Sequence, residues 1–302
     1  MAEFKFGFEE IWFRLILKRL PDHPDLFLPR VVEEAQNILR VGKLKVGAAR
    51  AWAESAGLVH KIKTGFYLTP LGKIIAHHDP DMEEDGIWWA LHYNLARHSS
   101  PAWFYAFYFN VFEVDEFSRS DFESEIRTWW DQTHEKPMTD SVFDKLVFSP
   151  FKQVFNDTRL GEEFGFCQAV NHDHYNRLPT CPVDLPSSIL GYALLDWARR
   201  NERQSINLET LLDPWGVGKI MRQDKERLDT LLVEIGEKYE KQALWISHTA
   251  GLNSVSFADL DPLSLVCAYY NELDGDDPII AIEKGRKQAE EFRNDGNLSL
   301  FS

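Results

Sequence analysis

Between Asp79 and Asp85 five of seven residues are acidic: Asp79, Asp81, Glu83, Glu84 and Asp85. Carboxylate oxygens are what a hard divalent cation requires. The spacing therefore makes Asp79, Asp81, Glu84 and Asp85 a candidate ligand set for Mg²⁺ or Mn²⁺, which would stabilise charge developing on a transferred group. The plainer alternative is a solvated turn whose last acids favour the N-terminus of the helix that follows. His92 lies further on, in an apolar stretch. It is a candidate general base, against the alternative of a hydrogen-bonded core histidine. Asp79, Glu84 and His92 make up the candidate catalytic set. A second constellation is His172-Asp173-His174. In an extended strand the two imidazoles would share a face, and Asp157 and Asp173 could complete a metal site. An exposed polar loop flanked by Asn171 and Asn176 would read the same way.

The second kind of chemistry is electrostatic. From Arg40 to Lys73 the chain holds Arg40, Lys43, Lys45, Arg50, Lys61, Lys63 and Lys73 against one acid, Glu54. That local charge of +6 sits in a 302-residue chain of net charge −15, which leaves −21 on everything else. A surface that repels phosphate nearly everywhere and attracts it at one place predicts an oriented, salt-sensitive contact with double-stranded DNA. The predicted contacts are Lys43, Lys45, Arg50, Lys61 and Lys63.

The elements that must position these residues follow from periodicity. Phe4 to Leu20 reads as a helix stopped by Pro21, Pro24 and Pro29. Val31–Leu39 and Leu44–Ala56 read as helices around a Val41-Gly42 turn, the second with Val46, Ala49, Ala53 and Ala56 facing inward. A hairpin signal at Thr64-Gly65 follows, then Pro70 at the start of another helix. Helix, turn, helix and hairpin is the order of a winged helix. Ile87 to Phe112 is dense in aromatics, predicting a buried helix pair in preference to a base-stacking platform. Ser120-Asp121 is the expected cap of a helix through Trp130. After Pro186, helical patterns and a hairpin candidate around Ala250-Gly251 repeat the same order. The predicted fold is therefore mainly α. It has a winged helix-turn-helix unit at 1–75, a helical, aromatic-rich middle at 76–184, and a helical, winged-helix-like candidate at 185–302.

Several classes are excluded. Cys167, Cys181 and Cys267 are too scattered for a disulfide framework or a structural zinc site. No apolar run has the length of a signal or a membrane span, so a cytoplasmic protein without membrane contact is expected. Gly216-Val217-Gly218-Lys219 is a fragment of a phosphate-binding loop, without its first glycine or the following Ser/Thr.

Motifs spread along the chain carry a resemblance. Gly7-Phe8-Glu9-Glu10-Ile11 with Arg14, Val41-Gly42-Lys43, Leu68-Thr69-Pro70-Leu71-Gly72, Asp79-Pro80 with Glu83-Glu84, and Trp89, His92 and Tyr93 occur in order. Thr249-Ala250-Gly251-Leu252, Asp261-Pro262-Leu263 and Tyr269-Tyr270 follow. Together they resemble the SspB-like family of bacterial DNA phosphorothioation systems. The resemblance implies a DNA-binding protein that nicks DNA so that sulfur can enter the backbone, as part of anti-phage defence. It also implies work alongside a cysteine desulfurase, an ATP pyrophosphatase and an ATPase. The family's histidine after the first glycine is Phe8 here, and Glu9 and Arg14 are expected to form a structural ion pair. A non-catalytic subunit that docks the sulfur-transfer enzymes on DNA is the alternative, and a transcriptional regulator is a third.

Overall fold

A computed structural model describes residues 4–178, 180–249 and 252–294. In chain order the first elements are α1 (Glu10–Arg19), α2 (Val32–Leu39), α3 (Lys43–Ser55), β1 (Val59–Ile62), β2 (Gly65–Leu68), α4 (Pro70–His78), α5 (Asp85–Ala96) and α6 (Trp103–Asn110). Then come β3 (Glu116–Ser118), α7 (Arg119–Thr133), α8 (Asp140–Val142), a π-helical turn (Phe143–Phe148), α9 (Ser149–Asn156), α10 (Arg159–Glu162), β4 (Gln168–Ala169) and β5 (His174–Asn176). The last are α11 (Ser187–Arg200), β6 (Ser205–Asn207), α12 (Val217–Ile220), α13 (Lys225–Lys238), β7 (Leu244–Thr249), β8 (Leu252–Phe257), α14 (Leu263–Leu273) and α15 (Pro278–Asn294). The described residues are mainly helical, with small antiparallel sheets, as the sequence predicts. None of their helices is long and apolar enough to cross a membrane.

Two compact units form, both discontinuous in sequence. One comprises 1–67 and 94–184, the other 68–93 and 185–302, so the boundary runs through α5.

In the first unit the aromatic run is core. Phe104, Tyr105, Phe107, Tyr108 and Phe109 are buried, and Tyr108 lies 5.0 Å from the Phe151 ring and 5.4 Å from that of Phe155. Such ring pairs add to the transfer free energy of each side chain. One charge is buried among them. Arg177 donates to the carbonyls of Tyr108 at 2.9 Å and Phe112 at 3.1 Å, and its guanidinium lies 4.1 Å from the Tyr108 ring centre. Acceptors at each nitrogen make that burial tolerable. The cap of α7 lies two residues before the predicted one. Ser118 accepts from the Asp121 amide while the Asp121 carboxylate accepts from the Ser118 amide, a reciprocal capping box.

In the second unit α14 packs against α11 and α15, and α4 packs on both α14 and α15. The approach of α15 is close: a Cβ on Gly285 would lie 2.3 Å from the Ser264 carbonyl oxygen. A three-stranded antiparallel sheet of order β6-β8-β7 packs on α13 through β7. The expected turn at Ala250-Gly251 lies outside the described residues.

Replacing Arg177 with Met leaves two buried carbonyls without their donor. We expect a loss of stability on the order of 3 kcal/mol, read as a lower urea midpoint, with Arg177→Lys recovering only part of it because an ammonium cannot span the same acceptors.

Candidate functional site

The basic segment is built in the first unit. Ala48, Ala49, Ala51 and Ala53 give α3 high intrinsic helicity, and all four are buried. Trp52, fully buried, fixes the helix by donating its indole N–H to the Phe6 carbonyl at 2.8 Å. The turn before α3 uses Arg40 in the left-handed conformation (φ 55°), while Gly42 is extended and precedes the first helical residue. A non-glycine residue in that region is strained, and the turn is held by the Arg40 and Val41 amides, both of which donate to the Gln36 carbonyl. The hairpin turns at Lys63-Thr64, one residue before the predicted position, and Gly65 already belongs to β2. Gly65 has no room for a side chain: a Cβ would lie 2.4 Å from the Pro24 carbonyl oxygen, which also accepts the Phe66 amide at 2.7 Å.

The five predicted DNA contacts fall into two groups. Lys43 opens α3, Lys61 sits on β1 and Lys63 on the turn. All three are exposed, and none has a carboxylate within ion-pair distance among the described residues. A lysine at a helix N-terminus opposes the helix dipole, and the Lys45 amide of this first turn is already taken by the Gly42 carbonyl at 2.8 Å. Lys45 and Arg50 are engaged. The Lys45 ammonium is 2.5 Å from Glu9 Oε1 and lies over the Phe6 and Trp12 rings at 5.9 and 5.7 Å. The Arg50 Nε is 3.8 Å from Glu54 Oε2, with its guanidinium 5.6 Å from the Phe66 ring. Leu44, between the two lysines, is 76% exposed. Periodicity gave no signal for it.

The opening motif packs against α3. A Cβ on Gly7 would lie 2.6 Å from Gln153 Cβ, and Phe8 is buried, stacked on Phe13 at 4.9 Å and edge-on to Trp52 at 5.2 Å. Glu9 does not pair with Arg14 as expected. Arg14 turns back to Glu10 at 3.1 Å, the i,i+4 geometry of one helix, and Glu9 reaches across to Lys45.

The acidic turn lies in the second unit and does structural work. Asp79 is buried, and its carboxylate accepts from the amides of Glu83 at 2.8 Å and Glu84 at 3.1 Å. Glu84 accepts from the Tyr269 hydroxyl at 3.2 Å, and that hydroxyl also accepts from the Gly86 amide at 3.3 Å. Burial and the Glu84 charge both raise the Tyr269 phenol above its ordinary range. Asp81 is exposed, and Asp85 opens α5. Among the described residues no group of three or more His, Cys, Asp or Glu side chains is arranged to hold a metal ion. Asp79 gives one lone pair of each oxygen to an amide and is not joined by two further acids or histidines, so the turn as arranged does not fit a divalent cation.

His92 is fully buried, with Nε2 2.8 Å from the Ile220 carbonyl. The carbonyl can only accept, so Nε2 carries the proton. Burial lowers its pKa to about 3 against the partial opposition of that hydrogen bond, with Arg222 lowering it further.

His172 and His174 are each held by a neighbour in sequence. His172 precedes β5 and its Nδ1 is 3.0 Å from Asp173 Oδ1, while the Nδ1 of His174 is 3.1 Å from Asn171 Oδ1. Asp157, His172 and Asp173 do line one cleft of about 480 Å³, beside Arg119 and Lys152. Gly216 is packed so tightly that a Cβ would lie 2.4 Å from the Leu211 carbonyl oxygen, a structural reason for that glycine. Cys167 and Cys267 are buried, and burial, then the Asp261 charge, pushes the Cys267 thiol up to about 12. A thiol so protonated is a poor carrier of sulfur.

A family profile described as "Protein of unknown function (DUF4007)" matches residues 5–153 and 160–270, and the chain belongs to that family. No curated protein matches the chain. Its fold is similar to that of two solved SspB crystal structures. The magnesium ion-bound one has a TM-score of 0.73 and the other 0.74; each is 20% identical, over 97% of this chain and 96% of that one.

The His92 geometry has a measurable consequence. Its folded pKa lies below the unfolded value, so the unfolded chain binds the extra proton first. This contribution to stability is complete above about pH 6.5 and is lost as pH falls towards about 3. Two-bond ¹H–¹⁵N spectra should show a neutral, Nε2-protonated imidazole at pH 5, and His92→Gln should flatten part of the acid limb of a thermal-stability profile.

Proposed function

We propose that this DUF4007-family chain is the DNA-contacting component of an Ssp-type DNA phosphorothioation and anti-phage defence system, and that it nicks DNA to admit sulfur. The observation that carries the proposal is the set Lys43, Lys61 and Lys63, exposed and without carboxylate partners in a chain of net charge −15. They ride on consecutive elements, α3 and the β1–β2 hairpin, whose order after α2 is that of a winged helix. In this proposal α3 faces a groove and the hairpin lysines hold phosphates. The second unit offers a parallel: α11, β6, α12, α13, β7 and β8 follow one another with strand order β6-β8-β7, and we take this as a second winged-helix-like unit. The family resemblance and the fold shared with SspB support a place beside a cysteine desulfurase, an ATP pyrophosphatase and an ATPase.

One SspB structure is magnesium ion-bound. Mg²⁺ or Mn²⁺ is the cofactor a nicking step would recruit, but the acidic turn of this chain does not fit such an ion, so no step is routed through it. That mismatch favours a second reading, a docking subunit that brings the sulfur-transfer enzymes to DNA without cutting it.

Two measurements bear on these readings. Lys61→Glu with Lys63→Glu should weaken duplex binding and reduce the slope of log K against log salt by about 2, since each lost phosphate contact removes about one released counterion. An unchanged slope takes the hairpin out of the contact. Supercoiled plasmid incubated with the purified chain should yield open circles with Mg²⁺ or Mn²⁺ and none with EDTA. Tight binding without open circles selects the docking reading.

A further inference from the structure

The second unit carries a cavity of about 640 Å³ over one face of its sheet. Its floor is one rung of the β6-β8-β7 sheet. Ser205 pairs with Ser256, and Ser256 with Trp245, so the three side chains share a face. The opposite face is apolar: Val255, which pairs with both Ile206 and Ile246, is fully buried. Two serines leave the floor low and rich in hydroxyls, and the indole stands beside them on the edge strand. Trp245 is 36% exposed.

The wall is cationic. Arg199, in the last turn of α11, and Arg203, just beyond it, both line the cavity, against one acid, Asp259. Arg203 is exposed, with no carboxylate in ion-pair distance among the described residues. Arg199 comes within 4.0 Å of Asp261, but Arg293 already binds that carboxylate through two nitrogens. Most of the arginine charge therefore remains available to a ligand.

An exposed aromatic face, two guanidiniums and short hydroxyls round one concavity are complementary to a flat ring joined to phosphate. We propose that this cavity binds a nucleoside phosphate, with the base stacked on Trp245, the phosphate held by Arg199 and Arg203, and the sugar hydroxyls or base amines facing Ser205, Ser256 and Asp259. The chemistry is shared by a free nucleotide and by one residue of a single strand.

Titration of the full chain with the fluorescent nucleotide mant-ADP and, separately, with a labelled oligo-dT strand distinguishes the two sources. Wild type should bind at least one probe. Trp245→Ala and, independently, Arg203→Glu should each weaken that binding about tenfold or more, with Arg203→Glu melting at the wild-type temperature. Arg203 is a surface residue, so its variant tests the cavity even where loss of Trp245 unsettles the sheet. Binding of mant-ADP that depends on Arg203 assigns a free nucleotide. Binding of oligo-dT alone, with the same dependence, assigns a strand. Failure of wild type to bind either probe, or binding that survives Arg203→Glu unchanged, overturns the proposal. Both titrations, including that of the otherwise wild-type chain, are made on the Lys61→Glu, Lys63→Glu background, which removes the proposed phosphate contacts of the first unit, so the two nucleic-acid proposals fail separately.

Discussion

A chain of net charge −15 can present a cationic face only where its acids are kept away or tied down. This constraint shapes the first unit. Glu9 and Glu54, the acids next to the basic helix, are committed to Lys45 and Arg50. Each pair is partly exposed and worth little stability on its own. Its effect is positional: two cations become struts, while Lys43, Lys61 and Lys63 stay exposed without a carboxylate beside them among the described residues. The aromatic clamp of Phe8, Phe13 and Trp52 holds the opening segment, and with it Glu9, against α3.

The motifs that tie this chain to its family turn out to be mostly architectural. Thr69 accepts the Gly72 amide and so starts α4 behind Pro70. Asp79 closes the turn between α4 and α5 with both oxygens. Gly86 admits the Tyr269 ring, which a Cβ would approach to 2.6 Å, and Asp261 is gripped by Arg293. Such positions are demanding because a buried polar atom without its partner costs a large share of a protein's stability. A motif can thus record what the fold needs.

What could be read from sequence was whatever is local in sequence. The basic stretch, the helix–turn–helix–hairpin order and the apolar helix pair around Trp89 and Phe104 all declare themselves within a few turns. What could not be read depends on residues brought from afar. Lys45 looked free because Glu9 lies 36 positions earlier, and His92 looked reactive because the Ile220 carbonyl lies 128 positions later. The acidic turn resembled a metal site because its amides, the actual partners of Asp79, have no signature in residue type. The cavity beside Trp245 was invisible for a similar reason: its serines and arginines follow no motif, and only strand pairing across β6, β8 and β7 assembles them.

The discontinuity of the second unit has a consequence for how the molecule is made. α4 emerges from a ribosome long before α14 and α15, the helices it packs on. At 5–20 residues per second the wait is roughly 10–40 s. Meanwhile Leu71, Ile74 and Ile75 of α4, all buried in the finished unit, have none of those later surfaces to cover them. The nascent chain therefore carries a sticky apolar helix through most of its synthesis, which makes this segment a natural point of chaperone engagement.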